Sequence, residues 1–256
     1  MGAAVVGGTQ AITVGAMNDA AWWQEVIDRV RPISGPAELD PNPTALLISA
    51  ALAMAVVMVP ALWRLARLAV TLVHELGHAM TGVLMGRTFT GFVLRADMSG
   101  HAITRGPSRG AGLVLTTWAG YPAPAVVGAV LIWAGARGWA APVLSAVLVI
   151  LLLSWIRVRS LLTAIATLAV TAGAGALWWW GGDELQVHVL TAVGLVLLVG
   201  AWRHLGAVWT SRGSGSDPAV LARLTRVPKF LWLVSFALVL LAATAVVVLE
   251  GRALLG

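Results

Sequence analysis

Apolar residues run along this chain in long blocks, not in the alternation of a half-buried strand. Seven blocks reach the roughly 18 residues that an α-helix needs to cross about 30 Å of hydrocarbon. They are residues 45–63, 68–86, 110–136, 138–156, 160–182, 185–202 and 230–249. Charged or histidine side chains enter only the second block, with His74, Glu75 and His78, and the sixth, with His188. Pro122 and Pro124 interrupt the third. Residues 88–105 have strand character instead. Phe89, Gly91, Val93 and Leu94 lead into the turn-forming run Ala96-Asp97-Met98-Ser99-Gly100, and His101, Ile103 and Thr104 follow, which predicts a β-hairpin. Gly213-Ser214-Gly215-Ser216 predicts a flexible connection. Asp217-Pro218 then predicts a helix start, with Asp at the N-cap and Pro at the first helical position, for a short helix over 219–225.

This pattern predicts an all-α polytopic membrane protein of about seven transmembrane helices, with a small cytoplasmic-side β-hairpin after the second. Residues 1–43 form an N-terminal tail and 44–256 a membrane-embedded domain. Composition agrees: 59% of residues are hydrophobic and 11% charged, against about 25% charged in soluble domains. That excludes an ordinary soluble enzyme and a disordered chain. The tail lacks the basic start and apolar core of a secretory signal. Trp22-Trp23 with Glu25, Asp28, Arg29 and Arg31 fits a short amphipathic helix at the membrane surface. The absence of cysteine excludes disulfides and thiolate metal sites.

The net charge of +6 would suggest nucleic acid in a soluble protein. Here the basic residues sit between apolar blocks, so they report orientation and imply no nucleic-acid partner. With seven spans, one side collects Arg29, Arg31, Arg87, Arg95, Arg105, Arg109, Arg157, Arg159, Arg203, Arg212, Arg223, Arg226 and Lys229. The other collects Arg64, Arg67, Arg137 and Arg252. The positive-inside rule then places the N-terminus in the cytoplasm of a multi-pass protein of the cell membrane. Trp178, Trp179 and Trp180 fall at the outer interface.

His74-Glu75-Leu76-Gly77-His78 is a His-Glu-x-x-His motif. On a helix, positions i and i+4 share a face, so both imidazoles can reach one zinc ion at about 2.0–2.1 Å. Glu75 lies beside them and can take a proton from an attacking water. Of five His and eleven acidic residues in the chain, three fall within these five positions, inside an apolar block. Ionisable groups there cost several kcal/mol unless paired or ligated. A polar cluster that glues helices together is the alternative, and Ser, Thr or Asn would serve it more cheaply.

A hydrolytic zinc site needs a third protein ligand and an open position. His101, His188, His204, Asp97, Asp183, Glu184 and Asp217 are the candidates. The topology places Asp183, Glu184 and His188 on the far side and keeps His204, Asp97, His101 and Asp217. Asp217 begins a segment that returns toward the membrane, and a carboxylate would offset the Zn²⁺ charge in a low-dielectric region.

Val-His-Glu-Leu-Gly-His-Ala-Met at 73–80 with Gly86-Arg87 resembles the M50B-like metallopeptidases, bacterial relatives of the site-2 proteases. Ser108-Arg109-Gly110 extends the likeness. So does Trp118-Ala119-Gly120-Tyr121-Pro122-Ala123-Pro124 with Gly128, where Ala123 stands in place of a family Gly. Ser216-Asp217-Pro218-Ala219, with Arg223 and Pro228 beyond, resembles the family's distal Ser-Asp segment. The resemblance covers residues 68–236. It implies a zinc-dependent intramembrane endopeptidase acting on membrane protein substrates, with His74, His78 and Asp217 as ligands and Glu75 as catalytic base. The Leu-Asp-Gly motif that supplies the third ligand of site-2 proteases proper is absent here. Two other classes compete: an inactive membrane protein that retains the fold for binding, and a small transporter, for which no inverted repeat is visible.

Proline twice in the third block frees backbone carbonyls, which membrane depth tolerates where they line a cavity or are buried. An unwound substrate strand could pair with them or with the hairpin edge.

Overall fold

A computed structural model describes residues 19–32, 42–211 and 213–255. Most of the tail and Arg212 lie outside these. The described chain is mostly helical. All seven apolar blocks are helical, yet not as seven straight spans. The break comes at Pro60, which has no N–H for the helix ladder and forces Val59 into extended backbone (φ −80°, ψ 116°). Block one therefore ends as α2 (Pro43–Met58), after α1 (Asp19–Asp28). A second helix, α3 (Pro60–Leu84), leaves it at 98° and carries the His-Glu-x-x-His motif.

The hairpin follows, β1 (Thr88–Leu94) paired antiparallel with β2 (Gly100–Arg105), with Val93 opposite His101 and Leu94 opposite Gly100. The Asp97 carboxylate closes its turn by accepting from the Ser99 amide (3.0 Å) and hydroxyl (2.6 Å). Phe92 and Leu94 are buried with Leu72, Leu151 and Ala166. The Thr163 hydroxyl accepts the Leu94 amide at 2.7 Å, and Thr71 donates to the Met98 carbonyl at 3.0 Å. The sheet is thus fastened to two helices.

Pro122 and Pro124 split block three into α4 (Ala111–Trp118) and α5 (Pro122–Ala136), bent by 63°. The remaining elements are α6 (Ala140–Trp155), α7 (Leu161–Trp180), α8 (Asp183–Thr210), α9 (Asp217–Thr225) and α10 (Lys229–Leu255). Helices α7, α8 and α10 are each long and apolar enough to cross a membrane, and each bent pair adds one more, giving three to five spans on length and composition. Seven is not reached, because α3 is broken from α2 and α6 has only 16 residues.

α5 and α8 form the central pair. They approach closely at Gly128 and Gly194, where a Cβ on either would fall within 2.6 Å of the other's carbonyl oxygen. Two half-buried indoles find hydroxyl partners across helices, Trp118 to Ser235 at 3.0 Å and Trp202 to Thr244 at 3.1 Å.

The tail helix α1 lies where the charge count does not put it. Arg29 donates to the Trp178 carbonyl (3.3 Å) and stacks over the Trp179 ring (4.8 Å). α1 therefore shares an end with Trp178–Trp180, while the hairpin lies at the other end of α7. The charge count places Arg29 and Arg31 with the hairpin-side basic residues. Arg29 is in fact held by a carbonyl and an indole face.

Candidate metal centre

His74 and His78 project one turn apart from α3, with ring centroids 4.7 Å apart. Their Nε2 atoms are 3.1 Å from each other. The Asp217 Oδ2 atom lies 3.3 Å from His74 Nε2 and 3.2 Å from His78 Nε2. Among the described residues this is the one cluster of His, Asp or Glu able to hold a metal ion.

Asp217 reaches the pair because of how α9 starts. The N-cap is Ser216, not Asp217, and Asp217 occupies the first turn with Pro218. The expected capping role is thereby corrected: no side-chain cap bond forms, and the carboxylate turns toward α3 instead. The approach to α9 is fixed from both sides. Lys229 donates to the carbonyls of Ser211 (2.6 Å) and Val208 (3.3 Å) at the α8 terminus, and Arg223 donates to the Ser214 carbonyl.

Two further contacts shape the pair. His78 Nδ1 lies 2.7 Å from the Thr116 carbonyl, which only accepts, so Nδ1 carries a proton, and in the neutral ring this leaves Nε2 its lone pair for a metal. His74 stands edge-on to Tyr121 at 5.0 Å, and Tyr121 stacks on Phe236.

The donor set fits a divalent cation. Asp217 Oδ2 is buried without a hydrogen-bond partner among the described residues. It can only accept, as can His78 Nε2 in this tautomer, so the cluster is short of protons to share. One cation satisfies all three atoms at once. Tetrahedral zinc with bonds of about 2.0–2.1 Å separates its ligand atoms by about 3.3–3.4 Å, close to the 3.1–3.3 Å seen here.

Glu75 is 3% exposed and sits on the face of α3 covered by the start of β2. A Cβ at Gly100 would collide with its carboxylate and lie 2.6 Å from its Cγ. Gly120 does the same for the imidazoles: a Cβ there would overlap the His78 ring and lie 2.7 Å from His74 Cε1. Sequence reading raised Gly120 only within the proline break and missed Gly100. Nothing local to Gly100 signals its contact with a residue 25 positions earlier. We expect Gly120→Ala to lose zinc by more than about tenfold in affinity, because the imidazoles must move. Gly100→Ala should keep zinc and lose turnover. Metal titration and a cleavage assay on the two variants check this.

The other candidate ligands stay apart from the cluster. Asp97 is spent on the hairpin turn, where the Ser99 hydrogen bonds hold its carboxyl below the usual range. His101 is exposed on β2. His188 pairs loosely with Glu184 at 3.5 Å near the far end of α8, next to Asp183. The His204 ring is largely buried on α8, and its Nε2 has no partner among the described residues.

Comparison with known proteins gives one match. The family model described as Peptidase M50B-like covers residues 47–247, which include His74, Glu75, His78 and Asp217. No curated protein and no solved structure matches the chain.

Proposed function

Because the chain belongs to the Peptidase M50B-like family, we propose that it is a zinc-dependent, membrane-embedded endopeptidase that cleaves membrane-associated proteins near the cytoplasmic side. The observation that carries this reading is the convergence of His74 Nε2, His78 Nε2 and Asp217 Oδ2 within 3.3 Å beside a buried glutamate.

In this reading His74, His78 and Asp217 hold the metal and leave its fourth position open. Bound zinc would supply a polarised scissile carbonyl and an acidified water. Glu75 takes the proton from that water and delivers it to the leaving amine. Its burial against Gly100 fixes the carboxylate in one place. The Thr116 carbonyl fixes the His78 tautomer. Pro124 has no N–H to give the Gly120 carbonyl, which leaves a backbone acceptor at the break between α4 and α5 for an extended substrate segment.

Ala123 and the missing Leu-Asp-Gly are the two departures from the family pattern that favour an inactive protein. Ala123 packs on Gly77, where a Cβ would lie 2.5 Å from the Ala123 methyl, and Gly120 is the residue that touches the imidazoles. The departure from the family pattern therefore packs on α3 at Gly77. Asp217 supplies a carboxylate without Leu-Asp-Gly.

The test is zinc content. Purified protein should carry about one zinc per chain, and His74→Ala and His78→Ala should each lose it, since two ligands make a weak site. Elemental analysis after detergent purification decides. Full occupancy in both variants overturns the site.

A further inference from the structure

We infer that α3, the helix bearing His74, Glu75 and His78, does not cross the bilayer. It lies inclined within the hairpin-side half, and α1 sits on the face opposite the metal ligands.

The start of α3 is fixed by α8. Arg203 donates to the Val57 carbonyl at 2.7 Å, one of the acceptors left open where α2 ends. Its guanidinium also stacks over Trp63 at 4.3 Å. A Cβ at Gly200 would meet Val70 at 2.6 Å and Trp63 at 3.4 Å. Residues 57–70 are thus level with residues 200–203. That level is seven residues, or about 10 Å, from the hairpin-side end of α8, and about 30 Å from Asp183.

The end of α3 is fixed by the hairpin and α4. A Cβ at Gly82 would meet Thr104 at 3.0 Å and Thr116 at 3.4 Å, and one at Gly112 would meet the Met85 Cβ at 3.4 Å. Both ends therefore lie in the same half, although α3 is 25 residues long. Two bends agree with this. α3 leaves α2 at 98°, and α4, beside which it runs, leaves α5 at 63°.

α2 then makes the first crossing. It packs along α8 with Val57 at Arg203. Its 16 residues span about 24 Å, which would overrun the seven residues of α8 remaining on the hairpin side. Its N-terminus must point toward Asp183, the end where Arg29 holds α1 to Trp178 and Trp179. The 16-residue helices α2 and α6 are shorter than a full span but run between the two ends of the bundle, and counting them the crossings are α2, α4 with α5, α6, α7, α8 and α10, six in all. Arg29 and Arg31 leave the basic side and Arg64 and Arg67 join it, so the charge asymmetry is unchanged and the hairpin side remains cytoplasmic. Arg64 and Arg67 lie close enough to that interface to extend toward lipid phosphates.

The placement does not depend on the peptidase reading. Where that reading holds, the placement gives a physical reason for the cytoplasmic-side cleavage proposed above.

The experiment is impermeant maleimide labelling of single-cysteine variants in intact cells, on the naturally cysteine-free full chain. Gln24→Cys in α1, Asp97→Cys in the hairpin turn and Asp183→Cys at the start of α8 are compared before and after permeabilisation. The expected result is that positions 24 and 183 label together in intact cells and 97 only after permeabilisation. Position 24 grouping with 97 against 183 would restore a seventh crossing and overturn the inference. Parent-like helicity and a parent-like thermal transition in each detergent-purified variant show that the label reports the folded protein.

Discussion

Replacing Glu75 by glutamine is expected to abolish peptide hydrolysis and to leave zinc content and fold intact. The amide keeps the size and planarity of the carboxylate, so the cavity against Gly100 is filled as before. It cannot accept a proton from water. Loss of a positioned general base costs about 10²- to 10⁴-fold in rate, and the expected decrease is at least about 100-fold on a co-reconstituted membrane substrate. The change also removes a charge that is 3% exposed, so the variant should be no less stable than the parent. Zinc by elemental analysis and helicity by circular dichroism separate a chemical defect from a structural one. Wild-type turnover in Glu75→Gln would remove Glu75 from the mechanism.

The elements legible in the sequence were those set by local pattern. Apolar blocks gave helices because a backbone in hydrocarbon must satisfy its own hydrogen bonds. The Ala96–Gly100 run gave the hairpin turn, which Asp97 and Ser99 close. The i, i+4 spacing placed two imidazoles on one face, and they meet at 3.1 Å. The first block, however, was read straight through Pro60, although proline and the restricted residue before it were a visible signal for a break. Its consequence was large, because that break turns α3 aside. The end to which α1 docks was not legible. Charge counting weighs bulk asymmetry and has no term for one Arg–carbonyl contact. Gly100 against Glu75 and Gly120 against the imidazoles were hidden for a different reason. A glycine chosen for close approach has the same local signature as one chosen for a turn.

The largest effect on the metal itself is expected at Asp217. Asp217→Asn and Asp217→Ser should both strip zinc, leaving less than about a tenth of the parent content after dialysis against a chelator. The carboxylate is the only anion among the three converging groups, and a neutral amide or hydroxyl leaves the full Zn²⁺ charge uncompensated away from water. A helix-start role forecasts otherwise. Ser216 is the N-cap, and Asp217 would contribute only its favourable charge in the first turn of α9, about 0.3–1 kcal/mol. Both substitutions would then lower stability slightly and leave zinc in place. The site geometry favours the first outcome, since Oδ2 is buried, without a hydrogen-bond partner among the described residues, and within 3.3 Å of both imidazole nitrogens. Measured together, zinc content and the thermal midpoint of the metal-free proteins separate the two. Full zinc in either variant would transfer the third position to another group, and His204, whose buried Nε2 is unpartnered among the described residues, would be the next to substitute.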